Sequence, residues 1–309
     1  MEDLKLIDLS FTLREFVKKT KNTFSCGLLI SEDEILLTQI AQYYAMAIEC
    51  EKEYPCFECP TCKKIISKNA IEVFTYPKYK NEISVKDIEE VVDEIIKKPL
   101  DFKTKIFIFN RIDNSSEEAQ NKLLKSMEEF PSYVKMIFTA TNTGKVLPTI
   151  LSRTVSISIP SLPEKEFIKI LMPLRQSNQL EMPIIYNLSS GNLFLGLNIL
   201  SNLEIKEIYD NCLKILDTIS KNNILTFSTM IDKNNIENYI KIFSILIENF
   251  LVDKSNNKSN YSIISSRYTI KSLLDIANLL HISYKKIKSN TNEQSVIDNL
   301  LIGILEAKI

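Results

Sequence analysis

The sequence predicts an α/β fold: a parallel sheet with helices on both faces, carrying a cysteine knuckle and followed by an all-α second half. Two observations carry that expectation. As far as Pro160 and Pro163, short apolar runs alternate with segments of helical periodicity, the pattern of parallel strands joined by crossover helices. From Glu164 onward only helical periodicity remains.

Residues 27–31 form a short apolar run, expected as the first strand. Residues 35–48 follow as a helix, with Ile35, Ile40, Tyr43, Tyr44 and Ala47 at helical spacing. After the cysteine segment a second strand is expected over 72–76. In 85–98, Ile88, Val91, Val92, Ile95 and Ile96 trace an amphipathic stripe, and Pro99 stops the helix. KIFIFN at 105–110 reads as a fully buried strand. A helix over 116–129, a strand over 134–140, a helix-turn over 147–152 and a strand over 154–159 complete the alternating part. A short helical segment then runs to about residue 202, and longer helices continue to the C-terminus, with broad apolar faces over 240–251 and 270–280. The expected domains are 1–160 with the knuckle at 50–62, a small helical domain over 161–205, and a helical bundle over 206–309. The Asn- and Lys-rich runs near 221–236 and 254–259 read as solvated loops.

In these 309 residues, 38 Lys and Arg nearly balance 39 Asp and Glu, and the net charge of -1 gives no global pull toward nucleic acid. Any DNA contact is then made by a local patch or shared with partners. Residues 1–10, with acidic Glu2 and Asp3, lack the basic start and unbroken apolar stretch of a secretory signal. No run approaches the ~20 apolar residues of a spanning helix. The expected location is cytoplasmic, without membrane contact. His281 is the only histidine, which excludes histidine-rich metal centres; it follows Leu279 and Leu280 and is expected to be structural.

Cys50, Cys56, Cys59 and Cys62 stand as C-x5-C-x2-C-x2-C. Thiolates two residues apart can turn back onto one ion, and four of them close a tetrahedral sulfur shell, the pattern of a structural site. Cytosolic thiols stay reduced, which favours metal binding over disulfides. The last three cysteines also match the start of a ferredoxin run, which would need a fourth cysteine just downstream followed by Pro. The fourth lies upstream, at Cys50, so one structural zinc is favoured over an iron–sulfur cluster. Cys26 and Cys212 stand alone and read as core residues.

A phosphate-cradling loop needs G-x-x-x-x-G-K-[ST] between the first strand and helix. That place holds Ser31, Glu32, Asp33, Glu34, Ile35, Leu36, Leu37 and Thr38, with no glycine and no lysine, and three carboxylates that would repel phosphate. Gly191 and Gly196 have the right spacing, but Leu197 and Asn198 follow them, so that match is spurious. The strand that should end in a metal-binding acid ends in Asn110, followed by Arg111 and Ile112. No ATP is expected to bind this chain.

The stretch 105–131, KIFIFNRIDNSSEEAQNKLLKSMEEFP, resembles the bacterial clamp-loader AAA+ family, in which a buried strand leads to A-x-N-x-L-L-K-x-x-E-E-x-P. The matching residues are Ala119, Asn121, Leu123, Leu124, Lys125, Glu128, Glu129 and Pro131. Residues 147–154 are similar to the family's L-P-x-I-x-S-R-C, with Thr154 in place of the final Cys. The four cysteines fall where the family carries its zinc knuckle, with a shorter first spacing. Residues 292–301 match N-x-x-L-x-L-E-x-L-L only in part, with Asp298 at the acid. The good match covers 25–160.

The resemblance implies an AAA+ sheet domain, a lid at 161–205 and a ring-forming collar at 206–309. Within the family, the missing Gly and Lys resemble the ATPase-defective delta-prime subunit of the DNA polymerase III clamp loader rather than its gamma/tau ATPase, and no lid arginine appears in 191–196. The implied role is to help load the sliding clamp onto primed DNA alongside gamma/tau and delta partners. Arg153, with Ser152, would reach the ATP of a neighbouring subunit as a trans arginine; the alternative is a surface arginine capping a helix C-terminus. Asn121 and Lys125, at i and i+4, would face primer-template DNA, against a reading of Lys125 as solvated beside Glu128 and Glu129. Thr141 and Asn142 stand where the family senses a γ-phosphate and read here as relics. A gamma/tau-like ATPase with a divergent loop, or an iron–sulfur redox protein, are the competing readings.

Overall fold

The computed structural model describes residues 10–79, 82–176, 180–256, 262–289 and 292–308. Among them, contacts divide the chain into two compact units, one of 1–174 with 189–197, the other of 175–188 with 198–309.

The first unit opens with α1 (Phe11–Thr20), β1 (Cys26–Ile30), α2 (Glu34–Glu49), α3 (Pro60–Ile66) and β2 (Val73–Tyr76). It continues through α4 (Val85–Ile95), β3 (Lys105–Phe109), α5 (Glu117–Glu128), β4 (Val134–Ala140), α6 (Pro148–Leu151), β5 (Val155–Ser158) and α7 (Glu164–Leu171). The five strands form one sheet in the order β2-β3-β4-β1-β5. Every pairing is parallel. β3, inside the sheet, is buried along its whole length, as the unbroken apolar run requires. The edge strand β5 buries only Ile157.

Register builds an aromatic ladder across the sheet. Tyr76 pairs with Phe109, and Phe109 with Phe138. Their rings stack at centroid distances of 5.5 and 4.7 Å. On that face Cys26, Leu28, Phe107 and Met136 join Ile88, Val91 and Ile95 of α4 and Leu123 and Met127 of α5 in one core. Helix starts are set by local chemistry. Asp33 caps α2, Ser116 caps α5, and Ser84 with Asp87 forms a capping box on α4.

The predicted helix over 85–98 ends earlier, at Ile95, and the stripe is narrower than its spacing indicates. Val92 is 45% exposed and Ile96 74%. At about 100° per residue, Ile88, Val91 and Ile95 share one line while Ile96 lies about 80° from Ile88. The two outer residues therefore sit on the shoulder of the buried face.

The second unit is helical. It holds α10 (Leu203–Thr218), α11 (Ile224–Met230), α12 (Ile236–Asn256), α13 (Ser262–Ser265), α14 (Ile270–Lys288) and α15 (Glu293–Ala307). Two further helices, α8 (Met182–Ser189) and α9 (Leu193–Ser201), straddle the division between the units. α12 packs on α10 and α14, and α15 packs on α11 and α14. Phe243, Leu246 and Phe250 of α12 are buried, as are Leu273, Ile276 and Leu280 of α14. At the end of α10, the Asp217 carbonyl accepts from Arg267 Nη1 at 2.9 Å and Lys308 Nζ at 2.7 Å, cations placed at the negative helix terminus.

Several expectations change here. Residues 224–230, inside a tract read as loop, are helical, and residues 254–256 complete α12; 257–259 lie outside the described residues. His281, in the apolar context of Leu279 and Leu280, is exposed, one step around α14 from buried Leu280. Asp298 accepts from Ser228 Oγ at 2.6 Å and Gln294 Nε2 at 3.1 Å, an internal bundle contact. No helix among the described residues is long and apolar enough to cross a membrane.

Candidate functional site

The cysteine cluster is assembled by two helix ends. Cys50 is the C-cap of α2, and Cys59 is the N-cap of α3 with Pro60 at the first helical position. Phe57, at φ 59°, turns the chain back between them. Cys56 Sγ accepts from the Cys59 amide at 3.3 Å, and Cys59 Sγ from the Cys62 amide at 3.4 Å. The four sulfurs lie within 4.8 Å of one another. A tetrahedral zinc shell with Zn–S of about 2.3 Å separates its sulfurs by about 3.8 Å, so the cluster fits such an ion after a small contraction. The Cys59 and Glu58 amides draw the Cys56 thiol down to about 6. Burial pushes Cys62 the other way. Four close thiols can hold a metal, and zinc is compatible with them. Cys26 and Cys212 are buried elsewhere.

Buried carboxylates, which sequence reasoning missed, hold the loop beside the knuckle. Glu49 accepts from the amides of Lys103 at 3.1 Å and Thr104 at 3.0 Å. Glu72 accepts from those of Leu100 at 3.1 Å and Asp101 at 2.8 Å. Their partners are 28 to 55 residues away, so no local spacing signals them.

The turn between β1 and α2, where a phosphate loop would stand, is filled by its own side chains. Asp33, 3% exposed, accepts from the Leu36 amide at 3.0 Å and from the Leu193 amide. Burial pushes its carboxyl up, while the amides of Leu36, Leu193, Phe194 and Ile35 draw it back. Glu34 pairs with Arg111, which follows β3 in a left-handed conformation at φ 57°. The Arg111 Nε donates to Asp113 at 3.1 Å. Asp113 also accepts from Thr141 N and Oγ1 at 3.2 and 2.9 Å and from Asn142 N at 3.1 Å. Although burial opposes it, the hydrogen bonds from Arg111 and Thr141 hold the Asp113 carboxyl below the usual carboxylate range. Thr141 and Asn142 are thus working parts of this network.

Arg153 is exposed just beyond α6. Its Nη1 donates to the Thr149 carbonyl at 3.1 Å and its Nη2 to Glu128 Oε1 at 2.6 Å. Ser152, the C-cap, donates to the Thr149 carbonyl at 3.0 Å. Asn121 and Lys125 are both exposed on α5. Immediately before Asn121 in the motif, and unpredicted, Gln120 is buried and links α5 to the start of α6. It donates to the Ser115 and Lys145 carbonyls at 3.3 and 3.1 Å and accepts from the Leu147 amide at 2.9 Å. The structure thus brings the four cysteines together, and places Arg153 beside Glu128 of the clamp-loader-like helix motif.

A parallel five-stranded sheet with helices, a largely helical C-terminal part and a tetrathiol cluster define an α/β protein with a helical second half. The family described as DNA polymerase III, delta subunit matches residues 11–163. The DNA polymerase III subunit gamma/tau of Mycoplasma genitalium is 26% identical over 279 residues, 85% of this chain and 44% of that protein. The subunit gamma of Buchnera aphidicola subsp. Schizaphis graminum is 27% identical over 259 residues, 78% of this chain and 66% of its own. The subunit tau/gamma of Haemophilus influenzae is 31% identical over 132 residues, 42% of this chain and 19% of its own. The chain thus spans less than two-thirds of the length of each. A solved gamma subunit-related protein from Thermotoga maritima aligns with a TM-score of 0.44 at 16% identity, over 95% of this chain and 98% of that one. Over residues 11–163 the chain is similar to that family, and its curated relatives here are gamma or gamma/tau subunits of DNA polymerase III.

Proposed function

We infer that the chain is a non-hydrolysing, delta-prime-like clamp-loader subunit that helps load the sliding clamp onto primed DNA. The observation that carries this reading is the β1–α2 turn. Asp33 and Glu34 stand where a phosphate loop needs Gly and Lys, and their carboxylates are already engaged by the Leu36 and Leu193 amides and by Arg111. Anionic phosphates would have to displace those contacts against carboxylate charge.

The rest of the chain has roles in keeping with that reading. Cys50, Cys56, Cys59 and Cys62 would hold one structural zinc, which supplies fold stabilisation rather than chemistry. Residues 1–160 form the AAA+-like domain, 161–205 the lid and 206–309 the collar through which gamma/tau and delta partners assemble. Arg153, with Ser152, serves a neighbour's ATP: exchange of Glu128 for a transferring phosphoryl group places positive charge where negative charge develops. Asn121 and Lys125, on one exposed helix face, contact DNA phosphate inside the assembly.

The names of the similar proteins favour a second reading, a divergent gamma/tau-like ATPase. Titrating the isolated chain with a fluorescent ATP analogue and Mg²⁺ separates the two. No saturable binding up to millimolar ATP is expected, together with support of clamp loading when gamma/tau and delta partners are added. Saturable binding and turnover by the isolated chain would establish the second reading instead.

A further inference from the structure

We propose that Asp33 is a positioning residue whose carboxylate does, from within the chain, what a bound phosphate does at a helix N-terminus, fixing the start of α9 on the α/β unit without nucleotide. This rests on the reading of the chain as one without its own ATP. The geometry that carries it is a single buried carboxylate shared by two helix starts. One oxygen accepts from the Leu36 amide in the first turn of α2 at 3.0 Å, and the other accepts from the Leu193 amide, the first residue of α9. The two amides are 157 positions apart in the chain, and helix N-termini are the places where free N–H groups and the helix dipole favour an anion.

The surroundings are arranged for this contact. Asp33 and Leu193 are 3% and 1% exposed, so water cannot substitute for either partner. Gly191, at φ 76°, turns the chain into α9, and Asn192 accepts from the Leu195 amide at 2.9 Å, leaving the Leu193 amide to Asp33. Gly196 lies against Phe167 and Leu171 of α7 so closely that a side chain there would overlap them. A second carboxylate works in the opposite direction. Glu166 of α7 accepts from Ser10 Oγ and from Thr12 N and Oγ1 at 3.3 and 3.0 Å, at the first turn of α1. Asp33 and Glu166 thus form a two-point clasp: one reaches from the sheet domain to α9, the other from α7 back to α1. Removing Asp33 leaves the Leu193 amide buried without a partner, which favours local opening of this segment over loss of the sheet.

Hydrogen exchange by mass spectrometry on the full chain tests this, in wild type, Asp33→Ala, Asp33→Asn and Glu166→Gln. In Asp33→Ala, peptides covering 189–201 should exchange at least tenfold faster, while peptides covering β1, β3 and β4 keep wild-type rates. Asp33→Asn, with one acceptor oxygen, should fall between, and Glu166→Gln should speed α7 peptides more than those of the sheet. Unchanged exchange at 189–201 overturns the proposal, as does an equal acceleration of sheet peptides, which marks a purely global loss of stability. Should Asp33→Ala not fold, the same two outcomes are read in Asp33→Asn. The experiment is repeated with Mg²⁺ and ATP. ATP-dependent protection of 189–201 in wild type would sink the functional reading, whereas an unchanged rate in the Asp33 variants sinks the clasp.

Discussion

Arg153 is tied to Glu128 by a 2.6 Å hydrogen bond on the surface of the α/β unit, while its second guanidinium nitrogen caps its own helix at the Thr149 carbonyl. Surface pairs of this kind contribute about 0–1 kcal/mol. Arg153→Ala should therefore unfold within about 1 kcal/mol of wild type in denaturant titrations, yet lower the ATPase rate of a reconstituted loader on the order of 10³-fold. Arg153→Lys should recover little of it, because a point charge does not replace the planar fork. An unaltered loader ATPase rate in Arg153→Ala would leave only the helix-capping role.

The knuckle predicts its own metal content. Purified protein should carry about one zinc per chain and be colourless. Cys62→Ser removes a fully buried thiol of the cluster and should abolish stoichiometric zinc and lower the melting temperature by several degrees. Cys26→Ser, at a buried thiol outside the cluster, should retain full zinc. A chain that keeps one zinc after Cys62→Ser would show that the four thiols are not the ligand set.

Asp113 gives a pH dependence of defined sign. Its carboxyl is held below the ordinary value of 3.8 by hydrogen bonds from Arg111 and Thr141, against the opposing effect of burial. A carboxylate depressed in the folded state contributes stability that is fully present above its unfolded value and is lost as pH falls through the folded one. Asp113→Asn should cost about 1–3 kcal/mol at pH 7, since it weakens a buried charged network. The gap from wild type should close as pH drops below 3.8. Urea midpoints measured from pH 7 to pH 3 check this, and a gap that stays constant throughout would exclude the linkage.

What was legible in the sequence is what is local or periodic. β3 announces itself because Ile106, Phe107, Ile108 and Phe109, all buried, leave an unbroken apolar run, and the cysteines announce themselves because two of their three spacings are x2. Side chains with distant partners were not legible. Glu49, Glu72 and Gln120 look like ordinary polar residues on helices or at strand edges, and only the folded chain brings them to the amides and carbonyls they bind. Arg111 carries no signal of its left-handed backbone, which is set by the Thr139 hydroxyl accepting its amide at 2.9 Å and by its three side-chain partners. Val92 and Ile96 were misplaced because spacing defines a stripe but not its width.

The glycine pair Gly191 and Gly196, whose spacing imitates a phosphate loop, has packing reasons of its own. Gly191 sits at φ 76°, where a side chain costs about 1–2 kcal/mol. Gly196 has an ordinary backbone but no room: an alanine Cβ there would lie 2.6 Å from Phe167 Cζ and 2.9 Å from Leu171 Cδ1. Overpacking of this kind costs typically about 1–3 kcal/mol. Gly191→Ala and Gly196→Ala should each lower the melting temperature, and for different causes. Shortening the opposing ring in Gly196→Ala/Phe167→Leu should make the pair less destabilising than the sum of its single changes, because the leucine vacates the space the new methyl needs. Gly191→Ala with Phe167→Leu should be additive, since backbone conformation at 191 is indifferent to the ring. Additivity in both pairs, measured by denaturant titration, would show that Gly196 is not held by the Phe167 contact.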